Sequence, residues 1–319
     1  MRLKAPLGRG VKLLLRLAVS LALLVALLHA IGWSNVVHTL AGADPGWAAL
    51  GLLLAVLANT ACAWRWRALV RWLRHEVAWP WAWVAYQRGV ALNAVLPGAT
   101  VGGDVWRAWA LQRTGLDWPR ASASVLLDRI SGLWGLALLG GGCAVGALLA
   151  DGTALRLTLA PGGRGATAAA VGVAVLVLAW LPRALLRWGA ARSGGRHPWW
   201  GWWTMLAQHE PLRHWRQQLL ASVGAQAVTV AALWAAALAV GAPLAWWWLA
   251  PAAVPIFVAA ALPVGLGGWG TREAASAAVL AWLGVPAAQA VGMSLLFGAY
   301  ALLQAPLGLL PLPRPPSGA

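Results

Sequence analysis

The amino-acid sequence breaks twice in the same way, and no other feature constrains its fold as tightly. One break reads Leu96-Pro97-Gly98, then Gly102-Gly103-Asp104, then Arg107. The other reads Leu262-Pro263, then Gly267-Gly268-Trp269-Gly270-Thr271-Arg272-Glu273. Each is an apolar run stopped by Pro, loosened by paired Gly and restarted at charged residues. A bilayer core tolerates irregular backbone and charge only where they are buried in protein or line a cavity. A matched pair of such breaks therefore points to a transporter-like binding site. The likeness continues downstream. Gly115-Leu116-Asp117-Trp118-Pro119 leads into Ser124-Val125-Leu126-Leu127, and Gly284-Val285-Pro286 leads into Ser294-Leu295-Leu296.

Composition fixes the solvent. The chain is 61% hydrophobic and 10% charged, where a soluble domain carries roughly 25% charged residues. Mean hydropathy is +0.70, and apolar stretches of about 20 residues recur along the whole length. These numbers describe an all-α polytopic membrane protein forming a single transmembrane domain over residues 1–319. The longest polar stretch, Arg183 to Gln218, is rich in Trp, Arg and Gly and lacks the pattern of a soluble core. Residues 11–33 exceed a signal-peptide core and precede no small-residue cleavage site, so they are expected to remain as a span.

Cys62 and Cys143 lie in apolar runs and read as small buried hydrophobes. The six His are scattered, with no metal-ligand spacing. Neither a metal nor a cofactor is expected. The net charge of +16 would suggest nucleic acid in a soluble protein. Here the basic residues flank the apolar runs, which is the positive-inside signature, so nucleic acid is not an expected partner. The 25 Trp cluster at segment ends (Trp64, Trp66, Trp72, Trp79, Trp81 and Trp83, for example) and read as interface anchors.

Charge placement also orients the chain. Arg2, Lys4, Arg9 and Lys12 put the N-terminus in the cytoplasm, and the location is a cell membrane crossed many times. The expected spans are about 13–32, 46–63, 124–150, 166–182, 217–240 and 287–311, six in all. The connection from Ser34 to Pro45 is uncharged by Lys or Arg and lies outside; Arg65, Arg67, Arg71 and Arg74 lie inside. The first broken segment either crosses or folds back as a re-entrant hairpin. Charge favours the hairpin, because Arg113 and Arg120 then stay inside. The second break, treated alike, enters and leaves on the outside. Two units, about 46–150 and 217–312, then form an inverted-topology repeat joined by a basic loop at 183–216.

The charged restarts are the candidate site. Asp104 and Arg107 share a helix face at i and i+3. Asp104 could equally be an N-cap with a local ion pair. Thr271 is placed to cap a helix whose first turn holds Arg272 and Glu273, where free N–H groups favour an anion. Arg272 could instead pair structurally with Asp104, Asp128 or Glu273. Asp128 and Arg129 are adjacent, so they point to different partners. Asn93 and Gln87 are polar within the first limb, where interhelical hydrogen bonding is the ready role. Arg88 can snorkel. Pro97, Gly102, Gly103, Pro263, Gly267, Gly268 and Gly270 are the structural breaks. The Gly265–Gly270 run imitates a dinucleotide loop, but the required βαβ context is missing.

With these residues assembled, the chain resembles the flippase-like membrane domain of the lysylphosphatidylglycerol synthase/flippase family. The matching pieces are Asn93-x-x-Leu96-Pro97, Gly103-Asp104-x-x-Arg107, Leu127-Asp128-Arg129-Ile130-x-Gly132-Leu133, and Leu262-Pro263 through Glu273. The resemblance extends over most of the chain, from about residue 10 to 312. The resemblance implies a lipid-translocating domain, with aminoacylated phosphatidylglycerol as the cargo of its best-known members. Those members also carry a soluble aminoacyl transferase domain that this sequence does not contain, so enzyme activity is not expected. The resulting expectation is a flippase or transporter for a lipid with a polar or anionic headgroup, with membrane lipids as partners. The alternative is an accessory protein that scaffolds an envelope lipid or glycan enzyme through the Arg/Trp-rich loop.

Overall fold

The computed structural model describes residues 9–95, 102–150, 163–192, 201–208, 211–242, 244–262 and 268–313. Among them every regular element is helical. The chain opens with α1 (Arg9–Ile31), which bends by 88° at Gly32 into α2 (Trp33–Ala41). The uncharged connection expected after the first span is therefore largely a helix. Asp44 then caps α3 (Pro45–Trp72): its carboxylate accepts from the Trp47 N–H at 2.8 Å, with Pro45 at the first helical position.

The first break separates α4 (Trp79–Val95) from α5 (Gly102–Gln112). After it come α6 (Trp118–Ala150), α7 (Gly163–Arg192), α8 (Gly201–Gln208) and α9 (Pro211–Ala239). The second break separates α10 (Trp246–Ala261) from α11 (Thr271–Ala281), and α12 (Ala287–Leu303) runs into a short 3₁₀ turn, Ala305–Leu309. Among the described residues five helices are long and apolar enough to cross a membrane, and the bent α1/α2 pair would be a sixth, broken span. The basic connection is shorter than its sequence suggests, because α7 continues to Arg192 and α9 begins at Pro211.

Both breaks fold back. The flanks of the first meet, with His75 Nε2 2.8 Å from Thr114 Oγ1, and Val77, Trp81, Leu111 and Leu116 share one apolar cluster. At the second, Gln289 Nε2 donates to the Gly241 carbonyl at 3.1 Å. Each segment thus leaves at the end where it entered. Gly115 (φ 101°) and Gly284 (φ 76°) close the two hairpins in a left-handed conformation that disfavours any side chain. The limbs of the first hairpin touch at backbone level: a Cβ on Gly103 would collide with the Gly89 carbonyl oxygen.

α3 and α9 pack antiparallel at the centre. The Asp44 N–H donates to the Ala239 carbonyl at 2.8 Å. Trp47 meets Trp234 edge-on at 6.1 Å, and Gln218 at the other end reaches the Arg65 carbonyl at 3.4 Å. Small residues on α9 (Ala232, Ala236 and Ala237, fully buried) permit this close approach. Hairpin α4–α5 leaves from the end of α3, and hairpin α10–α11 from the end of α9. Because α3 and α9 are antiparallel, the hairpins enter from opposite ends.

The Trp side chains do not all act as the interface anchors expected from their positions. Trp64 and Trp247 are exposed, but Trp66, Trp72, Trp81 and Trp248 are buried in protein. Trp66 Nε1 donates to Ser124 Oγ at 3.2 Å and Trp72 Nε1 to the Leu206 carbonyl at 3.1 Å. These rings pack helices together rather than sit among headgroups.

Candidate functional site

The site starts from a helix periodicity. Along α3, Ala58, Cys62, Arg65, Leu69 and Trp72 are all buried, at steps of three and four. Arg65 is thus carried inward on the packing stripe while Arg71 stays exposed. Its side chain meets Asp128 on α6: Nε at 3.1 Å and Nη2 at 2.8 Å from Oδ1, with Nη2 also 3.0 Å from the Asp128 carbonyl. The other carboxylate oxygen accepts from Arg107 Nη2 of α5 at 2.9 Å. Arg65, Arg107 and Asp128 are 3%, 3% and 1% exposed. One aspartate therefore ties two arginines from two other helices. The Arg107 guanidinium also lies 4.4 Å from the ring centres of both Trp66 and Tyr86. A desolvated cation over an aromatic face gains about 2 kcal/mol.

Asp104 and Arg129 form the outer part of the same cluster. Arg129 grips Asp104 with both prongs, at 2.8 and 2.9 Å, and Arg107 Nη1 lies 3.8 Å from the same carboxylate. The adjacent Asp128 and Arg129 do take different partners, as their spacing requires. Asp104 does not cap α5. The acceptor at that helix start is Asn93 of the opposite limb, whose Oδ1 receives the Gly103 N–H at 2.9 Å.

The second hairpin is built differently. Arg272 pairs with its neighbour Glu273, Nη2 to Oε1 at 2.7 Å and Nε to Oε1 at 3.1 Å. Ser294 on α12 joins both: it accepts from Arg272 Nε at 3.0 Å and donates to Glu273 Oε1 at 3.0 Å. Glu273 Oε2 accepts the Gly270 N–H at 2.6 Å. Thr271 is consequently not the cap; its hydroxyl donates to the Gly268 carbonyl at 3.1 Å. The sequence offered Thr271 because it has the right chemistry one position too late. Trp269 and Phe297 flank the guanidinium at 5.2 and 5.9 Å. A Cβ on Gly298 would strike Arg272 Nη2, so α12 leaves the space that this side chain fills.

Both clusters face one cavity of about 670 Å³. Asn93, Asp104, Arg107, Asp128, Arg129 and Arg272 all line it. Glu273 does not: it is 0% exposed and stands behind Arg272. Gly102, Gly103, Gly268 and Gly270 flank the breaks as expected, whereas Pro97, Pro263 and Gly267 lie outside the described residues. Gln87 is buried but makes no side-chain hydrogen bond among the described residues. Arg88 does not snorkel; it donates to the Gly308 and Leu310 carbonyls at 2.8 and 2.6 Å.

Several lining residues were not singled out by sequence. Arg65 was hidden in a run of juxtamembrane arginines, though its alignment with Ala58, Cys62 and Leu69 was a readable signal. Tyr86, Asn59, Gln226 and Thr229 join the lining only through the tertiary fold. No group of three or more His, Cys, Asp or Glu side chains among the described residues is arranged to hold a metal ion.

A direct comparison with curated proteins returns no match. The family model for the transmembrane region of lysylphosphatidylglycerol synthase matches residues 13–308, nearly the whole chain. The chain belongs to the lysylphosphatidylglycerol synthase transmembrane-region family, and so to the multi-pass membrane proteins associated with lipid handling.

Proposed function

We propose that this protein moves a lipid with a polar or anionic headgroup between leaflets. The observation that carries the reading is a charged cavity shared by two hairpins that enter from opposite ends. Charged groups at membrane depth are costly, by about 2.5–3.5 kcal/mol each on insertion scales, and persist where they serve a polar path. The two units, α3–α6 and α9–α12, read as an inverted repeat, the architecture in which one half rocks against the other around a central site. Exposed apolar Leu133 and Leu302 also line the cavity, which suits a ligand with both a head and a tail.

The charge asymmetry of its connections supports a cell-membrane location with a cytoplasmic N-terminus. A Cys at His38 should label from outside intact cells with an impermeant thiol reagent, and a Cys at Arg71 should not; the reverse pattern would overturn the orientation. No chemical conversion of the lipid is part of this reading. The test of function is translocation of fluorescent phosphatidylglycerol in vesicles containing only the purified protein. Movement no faster than in empty vesicles would sink the proposal. It would favour instead an accessory role through the Arg/Trp-rich connection at about 183–216, where Leu185 and Trp188 are exposed.

A further inference from the structure

The C-terminal end of the described chain is pinned across the boundary between the two proposed units. Asn59 of α3 donates from Nδ2 to Gln304 Oε1 at 2.8 Å, and Gln304 Nε2 donates to the Tyr300 carbonyl at 2.9 Å. Further on, Arg88 of α4 holds the Gly308 and Leu310 carbonyls. The 3₁₀ turn Ala305–Leu309 is therefore a strap, rooted in α12 of one unit and laid across α3 and α4 of the other. The fit is tight: a Cβ on Gly308 would stand 2.7 Å from the Ala91 Cβ and 3.2 Å from the Gln87 carbonyl oxygen. The strap also adjoins the proposed transport cavity, whose lining includes Asn59, Ala301 and Leu302.

Gln87 does not share in this fit. It is 1% exposed, yet neither its Nε2 nor its Oε1 has a hydrogen-bond partner among the described residues. Its place follows from its neighbours. α3 and α4 run antiparallel, because Arg67 Nε reaches the Val77 carbonyl at 2.8 Å and Trp83 Nε1 reaches Thr60 Oγ1 at 3.0 Å. Gln87 lies one turn beyond Trp83 on the same face of α4, level with the turn of α3 that precedes Thr60 and holds Asn59. Its own carbonyl rests against Gly308. Asn59, Gln87 and Gln304 thus belong to one interface between α3, α4 and the strap. A buried primary amide with its donors and acceptor unmet destabilises the arrangement that leaves it so. A second arrangement that satisfies it accounts for its presence, and Gln304 is the amide that a shift of the strap would move.

We propose that the strap is a latch between the two units, closed when Asn59 holds Gln304 and open when Gln304 passes to Gln87 and Arg88 lets go of the Gly308 and Leu310 carbonyls. Opening frees Asn59 at the cavity wall and uncouples α12 from α3 and α4, the movement that rocking of one unit against the other requires. On the proposed orientation the latch stands on the cytoplasmic side of the cavity, so its release opens a way to the inner leaflet. This rests on the lipid-transport reading and adds the element that regulates it, whatever headgroup the cavity takes.

The test uses the purified full-length protein, with translocation of fluorescent phosphatidylglycerol in vesicles and melting temperature in detergent as paired readouts. Gln87→Met replaces the unmet amide by an apolar chain of the same length. The closed latch gains from this, so the melting temperature should rise. Lipid movement should nonetheless slow by about fivefold, the loss of one neutral hydrogen bond from the open latch. A higher melting temperature with unchanged lipid movement would make Gln87 a packing flaw and overturn the latch. Slower movement with a lower melting temperature would be damage to the fold and would count against it equally. Ala91→Cys with Gly308→Cys, in a background with Cys62 and Cys143 replaced by Ala, ties the strap to α4; the two Cβ atoms need to part by only about 1 Å to reach disulfide geometry. Movement should be lost on oxidation and return on reduction, and undiminished movement in fully oxidised protein would overturn the latch. Opening is also read without transport. N-ethylmaleimide should alkylate Ala91→Cys, which lies under Gly308, more slowly when combined with Gln87→Met and faster when combined with Asn59→Leu. Equal alkylation rates in all three proteins would sink the latch alone, whereas ordered rates in a protein that moves no lipid would sink the transport reading alone.

Discussion

The two hairpins place an arginine against the same cavity but secure it by opposite means. In α4–α5, Arg107 reaches away from its own helix to Asp128 on α6, which also holds Arg65 of α3. Three helices meet at one carboxylate. In α10–α11, Arg272 turns to the next residue, Glu273, and among the described residues Ser294 is its hydrogen-bond partner on another helix. The bracing differs too. Arg88 of the first hairpin binds carbonyls of the C-terminal segment, whereas the second is met by α1, where Ser20 Oγ donates to the Trp269 carbonyl at 3.1 Å. The lesson is that a matched sequence pattern does not impose a matched energetic role. The first cluster is a joint between helices; the second is a self-contained charged group presented to the cavity.

If that is right, the largest loss should come from the joint. Asp128→Asn leaves two buried guanidiniums short of charge, and removing one partner of a buried pair costs about 3–5 kcal/mol. Membrane abundance and melting temperature should fall sharply, and further than in Glu273→Gln, which leaves one arginine short. Equal losses in the two variants would erase the contrast.

Arg272→Ala should reverse the balance between folding and function. Glu273 retains the Gly270 N–H and Ser294 as donors, so abundance should fall less than in Asp128→Asn. Lipid movement in vesicles should drop by about tenfold or more, the worth of one charge-assisted hydrogen bond. Arg272→Lys should restore only part of it, since an ammonium lacks the planar fork. A variant that accumulates and still moves lipid at the original rate would remove Arg272 from the path.

The braces should matter less. Arg88→Ala deletes two hydrogen bonds to the C-terminal carbonyls, a loss of about 1–2 kcal/mol, visible as a lower melting temperature and faster proteolysis after Leu310. An unchanged melting temperature would mean that the segment is held by apolar packing alone.

The smallest effect is pH-linked and lies at the outer ends of the first hairpin. Thr114 Oγ1 donates its one proton to the Leu111 carbonyl at 2.7 Å, so it accepts from His75 Nε2–H and leaves Nδ1 to titrate. Burial, and then the nearby Arg120, hold the His75 pKa below 6.5. The folded state therefore resists protonation more than the unfolded chain. Its stability is intact above the unfolded value and declines as pH falls through that value toward the folded one. Melting temperatures taken from about pH 8 to about pH 5 should fall slightly less in His75→Gln than in the parent. A parent and variant with parallel profiles would remove His75 from the pH response.

Much of the architecture could be read from sequence because the membrane makes its demands locally. Pro, paired Gly and a charge within one apolar run leave few structures, and Arg113 and Arg120 indicated that the first segment folds back. Asp104, Arg107, Arg129 and Arg272 stood out for the same reason: charge is rare here. Arg65 was obscured by Arg67, Arg71 and Arg74, where abundance of charge removed its distinction. The Trp66–Tyr86 cage was not legible, because the rings lie on different helices and nothing in their spacing predicts a shared cation. The orientation of Glu273 away from the cavity was hidden as well, since only the fold shows that Gly270 and Ser294 claim its oxygens.

The glycine crossing in the first hairpin has a kinematic consequence. Where Gly103 lies on the Gly89 carbonyl, no layer of side chains separates the two limbs. Side chains are what helices slide on, by exchanging rotamers while their axes shift. Backbone resting on backbone has no such lubricant, so α4 and α5 must swing together like the arms of a closed clasp. Arg107 would then travel as cargo of the whole hairpin, and the motion that carries it would bend at the flanks, near His75 and Thr114.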